Sequence, residues 1–88
     1  MIVKLDIPDY EEDGVDVFWE KNASYRLYAF DNSIHLVANS EGLMSFAKQM
    51  LYLAQKKVPD GSHVHFDSFF TGIMDTSTEL VIAKKTQP

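Results

Sequence analysis

The sequence predicts an α+β fold: a mostly antiparallel sheet in the order ββββ-α-ββ, with one long helix packed on one face. Three observations predict it. Apolar residues recur at Leu43, Phe46, Ala47, Met50, Leu51, Ala54 and Val58, the spacing of one helical face. Four segments ahead of that stretch, and two behind it, alternate apolar with polar residues as half-buried strands do. The connections between them are short, which favours antiparallel neighbours.

In chain order, Val3, Leu5 and Ile7 alternate with Lys4 and Asp6, and Pro8 ends that strand. Asp9 to Gly14 is a polar, acidic loop. Val15, Val17 and Trp19 form a second strand, and Lys21-Asn22-Ala23 has the length of a hairpin turn. Tyr25, Leu27 and Ala29 mark a third strand, Asp31-Asn32 a tight turn, and Ile34, Leu36 and Ala38 a fourth. Asn39 and Ser40 offer oxygens to the free amides of a helix start, with Glu41 in the first turn. The helix runs about 19 residues, some 28 Å, with Lys56 and Lys57 at its negative end until Pro59 forbids continuation. Gly42 inside the first turn costs about 1 kcal/mol against Ala, and either admits a close backbone contact or loosens the start. Asp60-Gly61 turns the chain into a strand over Ser62–Asp67. A loop from Ser68 to Ser77 leads to the last strand, Thr78–Lys84.

One helix covers one side of a sheet and leaves the other uncovered. If Val3, Leu5, Val15, Val17, Trp19, Leu27, Ile34, Leu36, Val64, Phe66, Leu80 and Ile82 face the helix, strand parity fixes the far side. That side carries Phe18, Arg26, Tyr28, Phe30, His35, Val37, His63, His65, Asp67, Glu79 and Val81. An outer wall with three aromatics and three histidines has the character of a partner surface.

The length of 88 residues suits one domain, residues 1–88, and 45% apolar residues with eleven aromatics suffice for a packed core. The absence of cysteine excludes disulfides, thiol catalysis and cysteine-ligated zinc. The opening Met1-Ile2-Val3-Lys4-Leu5-Asp6 lacks a signal pattern and no run reaches the ~20 apolar residues of a membrane span, so the expected location is the cytoplasm. The net charge is −5, and seven acids fall within the first twenty residues against Lys4 alone. An acidic arm disfavours direct nucleic-acid binding and favours a basic partner, whose encounter it would speed. The plainer alternative is a solvated loop that keeps the chain soluble.

His63-x-His65-x-Asp67 is the stretch closest to a chemical site. On a strand all three side chains share one face, and two imidazoles with a carboxylate can ligate zinc or iron, with His35 as a fourth ligand if its strand is adjacent. Such residues on a half-exposed strand are more often surface or hydrogen-bonding groups, so a metal-dependent enzyme is the alternative reading. Other catalytic arrangements do not assemble. Ser62 and His63 point to opposite faces, Glu11 and Glu12 lie on an unshielded loop, and the four glycines form no phosphate cradle. In the loop Asp67–Asp75, Phe69, Phe70, Ile73 and Met74 either fold back over the core edge or reach into a partner.

The segments Asn39-Ser40-Glu41-Gly42-Leu43-Met44-Ser45-Phe46-Ala47, Gly61-Ser62-His63-Val64-His65-Phe66-Asp67 and Glu79-Leu80-Val81-Ile82 resemble the immunity protein 32 family. This is one of the small α+β immunity families of bacterial polymorphic toxin systems. An "N-x-EGL-x-S-x-A" helix start, a "GSH-x-H-x-D" strand and an "EL-x-I" strand carry the resemblance, which covers the C-terminal half. It implies a cytosolic, non-catalytic protein, without a cofactor, that binds and neutralises a toxin encoded beside it. From the residues themselves, the expected contact set is Glu11, Glu12, Asp13 and Asp16 in the acidic loop. To these are added Phe18, Tyr28, Phe30, His35, His63, His65 and Asp67 on the outer wall, and Phe69 and Phe70 after it. A homodimer pairing its uncovered sheet faces is a further alternative.

Overall fold

The computed structural model describes residues 1–66 and 79–86. Its elements run β1 (Tyr25–Phe30), β2 (Ser33–Ala38), α1 (Ser40–Leu53), β3 (His63–Phe66) and β4 (Leu80–Ala83). This is an α+β arrangement of two antiparallel two-stranded sheets and one helix. β1 and β2 pair from Tyr25↔Ala38 to Phe30↔Ser33 across the two-residue turn Asp31-Asn32. Both turn residues have positive φ (51° and 63°), as a type I′ hairpin turn requires, and Asn and Asp tolerate that region better than most side chains. β3 and β4 pair from His63↔Ala83 to Phe66↔Leu80.

The two expected N-terminal strands are not strands. Among the described residues, Glu11↔Gly14 is the one bridge ahead of β1. Residues 8–20 instead run along α1, and their backbone is hydrogen-bonded by helix side chains. Ser45 Oγ accepts from Glu20 N (3.0 Å), Gln49 Oε1 from Phe18 N (2.9 Å), Tyr52 Oη from Asp16 N (3.2 Å) and Gln55 Oε1 from Tyr10 N (3.1 Å). The same two glutamines donate back, Gln49 to Asp16 O (3.0 Å) and Gln55 to Pro8 O (2.9 Å). Alternating backbone N–H groups of an extended chain point one way, so Asp16, Phe18 and Glu20 reach the helix together. At about 1 kcal/mol net per bond, this row stabilises the arm as a strand ladder would.

This docking rotates the helix from its expected setting. Ser45, Gln49 and Tyr52, which lie off the apolar face, are buried with Gly42, Phe46 and Leu53, whereas Leu43, Met50 and Leu51 from that face are about half exposed. Apolar spacing alone reads the wrong stripe because the arm demands polar partners. The helix also ends earlier than expected, at Leu53 with Ala54 as its cap. Lys84, just after β4, donates to Gln55 O (2.6 Å) and Val58 O (2.9 Å), so a cation from the far end of the chain meets the carbonyls beyond the helix end.

The core lies between the arm, α1 and the inner faces of both hairpins: Tyr25, Leu27, Phe46, Tyr52, Leu53, Val58, Val64 and Phe66. Trp19 sits against Tyr25, Phe46 and Phe66 with ring centroids 5.3–5.7 Å away, edge-on or tilted, the geometry aromatic rings favour. Tyr25 Oη donates to Phe66 O (2.6 Å), which ties the first hairpin to the second. Val3, Val17, Ile34 and Leu36, expected to face inward, are exposed. Ile34 is 79% exposed because the hairpin tip projects beyond the helix.

Asn39 fastens the helix start to the arm. Its Oδ1 accepts from Gly42 N (2.8 Å) as an N-cap and also from Ser24 N (3.0 Å), while its Nδ2 donates to Asn22 O (2.8 Å). Asn39→Ala removes all three and should cost about 2–3 kcal/mol, more than an ordinary cap. Asn39→Asp keeps both acceptor bonds and loses the donor, so it should cost less than half as much. Urea unfolding monitored by circular dichroism measures both; equal losses would show that the acceptor bonds contribute little.

Candidate functional site

The outer face of the first hairpin is built by register. Arg26↔Val37 and Tyr28↔His35 are cross-strand pairs, so with Phe30 these side chains share one side of the pleat. Tyr28 and His35 stack at 4.9 Å with 6° between their planes, the Arg26 guanidinium lies 5.0 Å from the Tyr28 ring centre, and Phe30 meets His35 edge-on at 6.3 Å. Phe30 is 68% exposed. The group is a row of rings already ordered by one another, which lowers the entropy lost on binding.

On the second hairpin, His63 and His65 also point outward, with ring centroids 4.9 Å apart. His65 Nδ1 lies 2.7 Å from Glu79 Oε1, and His63 Nδ1 lies 3.0 Å from Gly61 O. Tyr28 and Glu79 line one cleft of about 320 Å³, with Leu27, Ala29, Ile34 and Leu80, so the two hairpins meet there. Asp67, Phe69 and Phe70 lie outside the described residues. Among those described, no three His, Cys, Asp or Glu side chains converge as metal ligands.

The acidic loop is held at its base. Gln55 and Tyr52 anchor Tyr10 and Asp16, and Gly14 N donates to Glu11 O (3.3 Å) within the loop. Glu11, Glu12, Asp13 and Asp16 are all exposed, on a loop whose two ends are tied to Gln55 and Tyr52. Phe18 leaves the expected set. Its ring packs edge-on against Tyr52 at 5.1 Å and under Lys48 Nζ at 4.8 Å, on the helix and not on the outer wall.

The structure therefore brings Tyr28, Phe30 and His35 together, leaves the four acids exposed on one loop, and sets His63 beside His65. Reading the sequence for site residues overlooked Arg26 and Glu79. Parity already placed both outward; the missing signal was the pairing register, which sets Arg26 over Tyr28 and Glu79 against His65.

The helix start and the closing strands also show what the residues there do. Asn39 clamps, Gly42 gives way to the Ser24 carbonyl, Ser45 is buried in two hydrogen bonds, and Glu79 meets His65. No helix among the described residues is long and apolar enough to cross a membrane. No curated relative and no solved structure matches the chain. The family model described as Immunity protein 32 matches residues 33–85, more than half of the sequence, from β2 through the helix to β4. The chain belongs to the immunity protein 32 family.

Proposed function

We propose that this protein neutralises a cognate bacterial toxin in the cytoplasm by binding it one-to-one, without catalysis. Family membership supports a toxin partner. The observation that carries the binding surface is the ordered, exposed row Arg26–Tyr28–His35–Phe30. Aromatic and arginine side chains of this kind are the usual anchors of protein interfaces. The exposed carboxylates Glu11, Glu12, Asp13 and Asp16 complement a basic toxin surface, such as the substrate cleft of a nuclease, and accelerate encounter with it.

The test uses the toxic module encoded beside this chain. Phe30→Ala combined with Tyr28→Ala should weaken the complex roughly tenfold or more, mainly through faster dissociation. Replacing Glu11, Glu12 and Asp13 together by Ser should slow association several-fold at low salt and flatten its salt dependence. Surface-plasmon kinetics separate the two effects. Unchanged dissociation in the first variant, with the fold intact, would move the interface off the sheet wall.

A further inference from the structure

We infer that α1 carries a second interaction surface, and that its occupant is another copy of this chain packed antiparallel along the helix. Leu43, Ala47, Met50 and Ala54 recur at alternating spacings of four and three, so they form one narrow row on the side of α1 facing away from the arm. Leu43 is 54% exposed, Met50 50%, and the adjacent Leu51 51%. Met50 and Ala54 border a cleft whose other wall is Ile82, Ala83, Lys84 and Lys85, and Leu43 and Leu51 stand exposed beside it. The row carries no charge.

Its order of sizes suits a two-fold axis. Two copies related by an axis across the helix midpoint place Leu43 opposite Ala54 and Met50 opposite Ala47, a large side chain against a small one at every level. Charge favours the same pairing. The acids of residues 9–20 lie along the opposite side of α1, where Ser45, Gln49, Tyr52 and Gln55 hold the arm. Two chains of net charge −5 thus meet on the side of α1 away from the acidic arm. A row of a few half-exposed side chains falls well short of the ~800 Å² per partner that a standard stable interface buries, so the dimer should be weak. This pairing leaves the sheet wall free, so it does not compete with the toxin surface and does not depend on it.

Sedimentation velocity of the full chain from about 5 to 500 μM should show a shift from one chain toward two as concentration rises. Ala47→Glu, which sets carboxylates against the partner's Met50 near the axis, should weaken self-association at least tenfold. Leu43→Ser with Met50→Ser should do the same, and both of those side chains are too exposed to be needed for folding. The chain has no cysteine, so geometry can be read directly: L43C protein mixed with A54C protein should oxidise to a mixed dimer faster than either alone. Preference for the mixed disulfide decides the matter even if a stripe variant loses its helical signal. A monomer at every concentration would overturn the inference. So would a dimer indifferent to the stripe and abolished by Phe30→Ser, or a strictly monomeric chain whose stripe variants instead lose the toxin.

Discussion

Gly42→Ala should destabilise the protein by about 2–3 kcal/mol, although in an isolated helix the same change stabilises by about 1 kcal/mol. A Cβ at this position would lie 2.5 Å from the Ser24 carbonyl oxygen and 3.1 Å from both the Ala38 Cβ and Asn39 Oδ1. The nearest obstacle is backbone, and Ser24 is held from both sides, since its N–H donates to Asn39 Oδ1 and its carbonyl accepts from Asn39 N (3.2 Å). The arm must move away from the helix start to make room, which strains the whole Asn39 clamp. Thermal unfolding should show a drop of roughly 10–20 °C for a domain of this size. A midpoint equal to the parent's or above it would mean that the arm and helix do not approach this closely in solution.

Gln49→Leu should cost about 2–4 kcal/mol despite replacing an amide with an apolar side chain of similar size in a buried site. Gln49 is fully buried, and it both accepts from Phe18 N and donates to Asp16 O. Leucine leaves that donor and that acceptor without partners while still filling the volume, and an orphaned buried group costs about 1–3 kcal/mol. Gln49→Glu restores the acceptor for Phe18 N but turns an oxygen toward the Asp16 carbonyl. The ionised form should therefore be destabilising, whereas at a pH where the new carboxyl is protonated its O–H can donate to Asp16 O and stability should approach that of glutamine. Urea titration at fixed pH ranks the three proteins. If leucine proved as stable as glutamine, the arm would owe its position to Trp19 and Phe18 rather than to the amide.

Much of the fold was legible because its signals are local. Strand alternation gave β1 to β4 within a residue or two, Asp31-Asn32 announced its turn, and Asn39 with Gly42 marked the helix start. The outer wall followed too, since the parity that placed Tyr28, Phe30, His35, His63 and His65 outward survives a change in the neighbouring strand. What failed depended on distant partners. Val15, Val17 and Trp19 alternate as a strand would, yet their amides are satisfied by side chains 25 to 36 residues further on. No local pattern shows that Gln49 and Tyr52 would be drawn inward by that need, and the apolar stripe of α1 was consequently assigned to the wrong side. Phe18 was misplaced by the same error.

The way the arm is fastened also decides where this chain can change length. Along Asp16–Glu20 every second amide meets a fixed side chain, so adding or losing a single residue there would turn the whole row away from the helix. Between the two anchors at Tyr10 and Asp16 there is no such row of bonds: Glu11 and Gly14 bridge to each other, and Glu11 and Glu12 border a cleft with Lys57. Insertions, deletions and charge reversals can accumulate in that loop while the scaffold stays intact. The chain therefore has its freest ground at Glu11 to Gly14, and its most rigid a few residues downstream.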